Sequence, residues 1–333
     1  MQYTTLGSEQ IKISKICLGC MSFGEPGSMH KWSLPYAESE KLIKLSLELG
    51  INFFDTANCY SQGTSEEYLG RALKHVDREK VVIASKVYFN EGRLSKEAIE
   101  REIDGTLKRL GTDYLDLYII HRFDYDTPIL ETMQALNGLV ESGKVKMLGA
   151  SAMYGYQFHN MQICALNYGL ATFSAVENHY NLLYREDERE LIPICNEMNV
   201  TLMPYSPLAG GHLSNRTWDY ATKRRQTDGV IQGKYDAMEK SDIKIVERVF
   251  EMSEKYNCSM TQIALAWEFL KGIHSPIVGP TKAEHIEDAV KSVNVNLSPE
   301  DVAYLEELYV PHPVVGSIDK NPEQPVVLLN ERK

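Results

Sequence analysis

The chain has 333 residues, with 46 acidic side chains against 35 basic ones and a formal net charge of -11. That balance argues against nucleic acid as a general partner, and the short basic run Lys223-Arg224-Arg225 reads as a solvated loop face. No apolar run is long enough to span a bilayer and the first residues lack the pattern of a secretory leader, so with six scattered cysteines the expected compartment is the cytoplasm.

The segments Tyr3–Leu6 and Gln10–Ser14 flank Gly7-Ser8-Glu9 and predict a hairpin capping the bottom of the fold. A unit then recurs: amphipathic helix, Gly or Asn, strand. Gly50, Gly111, Gly143, Gly169 and Asn199 close the helical patterns, since both residue types tolerate the left-handed conformation that ends many helices. Strands are expected to begin near Ile16, Ile51, Val81, Asp113, Val145, Thr172, Val200 and Ser275. Most are separated by roughly 30 residues, the length of a βα unit. Between them, Ile99, Ile103, Leu107 and Leu110 share one helical face, as do Ile129, Met133, Leu136 and Val140. The strands are apolar on both faces, as in buried parallel sheets.

Eight such units predict an α/β protein, a (β/α)8 barrel in one domain over residues 1–333. The competing architecture, an open doubly wound sheet, calls for an early glycine loop around a nucleotide. No GxGxxG or P-loop follows any strand. The stretch from Gly210 to Lys240 is polar and poorly periodic, and it reads as a long loop over the mouth after the seventh strand. Cys17 and Cys20 form a CxxC with no second pair, so buried thiols are expected and no metal site.

Four polar residues interrupt or follow the apolar runs. Asp55 ends Ile51-Asn52-Phe53-Phe54, with Tyr60 one short loop later. Lys86 ends the third strand and His121 the fourth. Buried charges need partners. Parallel strands would bring all four to one mouth, where an ammonium beside a phenol favours the phenolate and makes a better acid.

The chain strongly resembles the aldo-keto reductases over about residues 1–312. The resemblance rests on Asp55-Thr-Ala-Asn-Cys-Tyr60 followed by Glu66-Glu-Tyr-Leu-Gly70, on Leu115-Asp116-Leu117-Tyr118 through His121, and on Pro204-Tyr205-Ser206-Pro207-Leu208. Asn178-His179-Tyr180-Asn181-Leu182 and Pro311-His312-Pro313 are similar to motifs of the longer bacterial and fungal members. The resemblance implies reduction of an aldehyde or ketone by NADPH. Tyr60 would be the proton donor, Lys86 its tuner, Asp55 the anchor of Lys86, and His121 the group orienting the carbonyl.

It also implies a cofactor site. Ser151 and Glu177 would hold the carboxamide and Tyr205 would stack on the nicotinamide, with Met21, Asp55, Ser206, Pro207, Leu208 and Gly210 alongside. Two departures stand out: the family's usual asparagine after the serine is Ala152, and its usual glutamine is Glu177. A carboxylate accepts from an amide NH2 but cannot donate to its carbonyl. After Gly279 a helix beginning about Thr281 would present free N–H groups to a phosphate. Thr281 and Lys282 would take the 2′-phosphate, with His285 near the ribose and Asp288 where the family carries an acidic residue. Arg216 or Arg224 would cover the pyrophosphate.

Phe23, Tyr88, Arg122 and Phe123 are the substrate-wall candidates; Arg122 would favour an anionic substrate or pair with Asp124 or Asp126. Two other functions fit the same pattern: a non-catalytic NADPH-sensing subunit and an enzyme of sugar phosphates. Retention of all four catalytic groups favours the reductase. The oligomeric state is open.

Overall fold

A computed structural model describes residues 1–7, 11–219 and 222–315. Ser8 and Glu9 of the expected hairpin turn, and the chain beyond residue 315, lie outside the described residues. β1 (Tyr3–Leu6) and β2 (Ile11–Ser14) pair antiparallel. The remaining strands are β3 (Cys17–Gly19), β4 (Phe53–Asp55), β5 (Val82–Val87), β6 (Leu115–Ile120), β7 (Val145–Ser151), β8 (Phe173–Glu177), β9 (Thr201–Leu202) and β10 (Ile277–Val278). They form one sheet in the order β10-β3-β4-β5-β6-β7-β8-β9, with every pair parallel. The seam is closed by backbone N–H donation from Ser275 to Leu202 O at 3.3 Å and from Ile277 to Pro204 O at 2.9 Å. The eight expected strands are those of a (β/α)8 barrel.

Alternation divides each strand between two cores. Cys17, Phe53, Val82, Ala84, Leu117, Ile119, Met147, Ala175, Met203 and Ile277 form the inner cluster. Leu6 and Ile13 of the hairpin join that cluster, so the hairpin plugs the barrel bottom. The outer residues pack against the helices. Ile99, Ile103 and Leu110 are buried on the helix Lys96–Leu110, and Ile129, Met133 and Leu136 on Ile129–Glu141. Gly111 ends the first of these with φ +66°, a left-handed cap that a side chain would strain.

The segment from Gly210 to Lys240 is not a structureless loop. It carries the short helices Lys223–Thr227 and Gly229–Tyr235, and a longer helix starts at Glu239. Thr222 and Asp228 cap the two short ones, and Ile231 and Tyr235 bury the second. Their span is too brief to show a helical period, which is why the sequence reads as loop. Among the described residues no helix is long and apolar enough to cross a membrane.

Several motif residues act as fasteners. Glu66 is fully buried; Ser85 Oγ donates to it at 2.5 Å and Arg109 Nε at 2.6 Å. Asp116 on β6 accepts from Arg78 at 2.7 Å, from Lys146 at 3.0 Å and from the Ile83 N–H at 3.0 Å. Gly70 lies on the helix Thr64–Leu73, where a Cβ would sit 2.2 Å from the Leu110 carbonyl oxygen.

The contact is with backbone and cannot swing aside. Gly70→Ala should therefore destabilise the fold by about 1–3 kcal/mol. Urea unfolding measures this, and a loss below roughly 0.5 kcal/mol would mean that the two helices separate freely.

Candidate active site

The residue two places beyond an inner-core residue faces the same way, one layer nearer the C-terminal mouth. That rule takes Phe53 to Asp55, Ala84 to Lys86, Ile119 to His121, Ala175 to Glu177 and Met203 to Tyr205. The apolar barrel interior is thus topped by a layer of polar and aromatic side chains. Asp55 pairs in register with Ala84, one pleat below Lys86, and Ser151 pairs with Glu177.

Lys86 is wholly buried at the centre. Its Nζ donates to Asp55 Oδ1 at 2.7 Å and Oδ2 at 2.6 Å, to the Thr56 carbonyl at 3.0 Å and to Tyr60 Oη at 3.2 Å. Glu177 Oε2 lies 3.3 Å from the same nitrogen. An ammonium only donates. Tyr60 therefore accepts from it, and its phenolic hydrogen is left to point elsewhere. Burial would lower the Lys86 pKa, but Asp55, Glu177 and Tyr60 together hold it well above the usual lysine range.

Burial raises the Tyr60 phenol well above its ordinary value, against the pull of Lys86. This corrects the expectation of a net lowering: the ammonium acts in the expected direction, but the loss of water outweighs it. Burial also raises Asp55, opposed by Lys86, and pushes Glu177 up to about 8, with Asp55 adding to the rise. His121 is lowered well below its usual value by burial, then by Lys86 and Arg122, so its imidazole is neutral. Its Nδ1 lies 3.8 Å from Cys59 Sγ, and its ring meets the Tyr60 ring edge-on at 5.8 Å.

Four non-glycine residues beside these groups adopt left-handed backbone: Ser61, Gln62, Ala152 and Ser206. Such conformations cluster where the backbone aims functional side chains. Ala152, with φ +47°, stands where the resemblance calls for asparagine, a residue that tolerates this region far better.

An open cleft of about 620 Å³ is lined by Tyr88, Phe89, Asn90, Glu91, Arg93 and Arg122. Phe89 meets the His121 ring at 5.0 Å, and Arg122 lies over Phe89 at 4.9 Å. Asp124 and Asp126 are held by Arg93 at 3.5 Å and 2.5 Å. Phe23 and Phe123 do not line this cleft: both are packed into the outer core, Phe123 against Tyr125. Phe89 was overlooked in the sequence, although it follows Tyr88 directly beyond β5.

Ser151 and Glu177 are almost fully buried side by side. A hydroxyl and a carboxyl oxygen so placed can both accept from a primary amide NH2. The Tyr205 ring stacks on His179 at 5.2 Å, with the Lys234 ammonium 4.7 Å from its centroid. Lys234 is buried, its pKa lowered to about 8 by burial and then by Arg224. Nothing in the sequence marks it, because its burial depends on how the short helix Gly229–Tyr235 folds back. Met21, Ser206, Leu208 and Gly210 are partly exposed at this mouth, while Pro207 is buried.

The two arginines differ. Arg224 lies over Trp32 at 4.4 Å and pairs with Asp228 at 3.3 Å, near Lys234. Arg216 lies over Phe250 at 4.1 Å, on the helix Glu239–Tyr256. Beyond β10 the helix begins at Ala283, with Lys282 as its N-cap, two residues later than expected. Gly279, Lys282 and His285 are exposed there, Thr281 partly so, and the Thr281 N–H donates to His285 Nδ1 at 3.3 Å. Asp288 accepts from Ser259 at 2.5 Å and from Gln262, tying two helices together. Cys17 and Cys20 are buried free thiols.

Comparison with known proteins agrees with this geometry. The sequence profile described as "Aldo/keto reductase family" matches residues 15–310. The chain is 41% identical to a versiconal hemiacetal acetate reductase of Aspergillus parasiticus, over 93% of this chain and 98% of that protein. It is 40% identical to a Schizosaccharomyces pombe protein whose name assigns it provisionally to the aryl-alcohol dehydrogenases, over 95% and 98%. It is 38% identical to an aldo-keto reductase of Fusarium vanettenii, over 95% and 93%. Closed barrel, polar top layer and sequence together make this chain a member of the aldo/keto reductase family, an oxidoreductase of the carbonyl-reducing type.

Proposed function

We propose that the protein reduces aldehydes or ketones to alcohols with NADPH, and that Tyr60 is the acid. The observation that carries this reading is the enclosure of Lys86 between Asp55 and Tyr60 Oη. The cofactor, when bound, supplies a hydride to the carbonyl carbon. Ser151 and Glu177 would hold its carboxamide, and Tyr205 has one ring face backed by His179. Arg224 and Lys234 would meet the pyrophosphate. Lys282 and the N–H groups opening the helix at Ala283 would meet the 2′-phosphate.

The residues do the rest. Because Lys86 donates to Tyr60 Oη, the phenolic proton is directed to the substrate oxygen. As that oxygen gains negative charge, Tyr60 transfers the proton, and the adjacent ammonium stabilises the phenolate left behind. Neutral His121, with Nδ1 toward Cys59 Sγ, can present Nε2–H to the same oxygen. Phe89 and Tyr88 offer an apolar wall suited to aromatic or aliphatic carbonyls. Arg122 in the same cleft supports a second reading, in which the carbonyl compound carries an anionic group, as a sugar phosphate does. NADPH oxidation across aldehydes, ketones, aldoses and sugar phosphates separates the two; turnover of none of them would favour a sensing subunit instead.

Tyr60→Phe should abolish nearly all turnover while NADPH binding, followed by fluorescence titration, persists. Wild-type rates in that variant would remove Tyr60 from the mechanism. Lys282→Ala should weaken NADPH more than NADH; equal losses would reject the 2′-phosphate contact. His121 should stay neutral through the pH range in which an ordinary histidine takes up its proton. Its folded pKa lies below the unfolded one, so its contribution to stability is present at high pH and is lost as pH falls through the unfolded value of about 6.5. Imidazole NMR measures this, and a titration midpoint at the ordinary value would contradict the neutral donor.

A further inference from the structure

Lys86 faces two carboxyl groups, not one. Asp55 and Glu177 come from strands on opposite sides of the barrel mouth, and their side chains are 3% and 4% exposed. Both reach the same ammonium nitrogen, Asp55 Oδ2 at 2.6 Å and Glu177 Oε2 at 3.3 Å. One positive charge cannot neutralise two negative ones, and both carboxyls are nearly closed to solvent. Two carboxylates in such contact retain a proton, which belongs to the pair and not to either residue.

The other titratable groups facing the pair do not supply the missing charge. Cys17 packs below them and is held neutral, its thiol raised well above the usual range by burial, then by Asp55. Tyr60 is likewise raised by burial and stays a phenol. Lys86 is the cation within contact of both carboxyls. The glutamine that the resemblance calls for at position 177 has no acidic proton, so a shared proton depends on the carboxyl that this chain carries there.

We propose that Asp55 and Glu177 hold one proton between them, and that this proton replaces the one Tyr60 gives to the substrate, passing through Lys86. The two ends of the transfer meet at one nitrogen: Tyr60 Oη accepts from Lys86 Nζ at 3.2 Å, and Glu177 Oε2, a buried oxygen with no hydrogen bond of its own, lies 3.3 Å from the same Nζ. The steps balance. The Tyr60 O–H bond breaks as the alcohol O–H forms. An N–H of Lys86 breaks and restores the phenol. The O–H of Glu177 breaks and restores the ammonium, leaving Glu177 a carboxylate until water returns a proton. The hydride comes from the nicotinamide of the reaction proposed above, on which this inference rests. Oxidation of the cofactor adds one positive charge to the site, and loss of the shared proton removes one, so the enclosed charge is unchanged across the reaction.

The same coupling must appear in binding without turnover. In pH-difference infrared spectra of the cofactor-free protein, wild type should show a protonated-carboxyl band that disappears as pH rises through about 8. Glu177→Gln should lack that band. In fluorescence titrations between about pH 7 and about pH 9, the ratio of the NADP+ to the NADPH dissociation constant should fall in wild type. The fall is about tenfold for each unit by which oxidised cofactor lowers the pKa of the pair. The ratio should be flat in Glu177→Gln. Absence of the band, a flat wild-type ratio, or the same slope in both proteins would overturn the proposal. Should the variant fail to fold, the wild-type slope alone decides. Neither readout uses turnover: an inactive protein with the slope would sink the reductase reading, and an active one without it would sink the shared proton.

Discussion

The burial of one ammonium organises this molecule. An isolated charge in the interior costs several kcal/mol even after relaxation. Lys86 is tolerable there because β4 and β8 each deliver a carboxyl group to it, while the loop after β4 delivers a phenol and a carbonyl oxygen. That requires the register of β4 on β5 to be right to the residue, since a slip of one would turn Asp55 into the helix layer. It also requires the barrel to close, because Asp55 and Glu177 lie four strands apart along the sheet. Closure of the fold and assembly of the site are one event.

Much of this was written in the chain. The strand positions followed from left-handed caps at residues such as Gly111 and Gly169 and from runs apolar on both faces. Asp55, Lys86 and His121 stood out because they end such runs. The motifs around them then proved to have structural reasons of their own. Gly70 lets two helices touch backbone to backbone, Glu66 and Asp116 tie neighbouring strands and helices, and Asn181 anchors the end of β9 by donating to the Ser206 carbonyl at 2.8 Å.

What escaped the sequence is what depends on three-dimensional closure. Phe23 and Phe123 looked like pocket walls by position along the chain, yet both are buried in the larger core cluster and neither lines the cleft beside His121. The short helices between Lys223 and Tyr235 have caps but no period long enough to recognise. Lys234 is invisible until one of them folds back over Tyr205. Glu177 was legible as a departure from the family's glutamine, but its contact with Lys86 crosses the barrel and has no sequence signature.

A ladder of rings runs away from the mouth. Tyr205 stacks on His179, His179 on Tyr184 at 4.1 Å, Tyr184 meets His312 edge-on at 6.2 Å, and His312 stacks on Tyr309 at 5.4 Å. His312 is pinned to buried Asp242 at 3.0 Å, and His179 reaches Tyr235 at 2.8 Å. The segment leading to the C-terminus is thus joined in series to the platform on which a nicotinamide would rest. Grafting that segment from a relative would change more than the rim of the cavity: it would alter how firmly the platform is braced, and with it how long an oxidised cofactor stays seated.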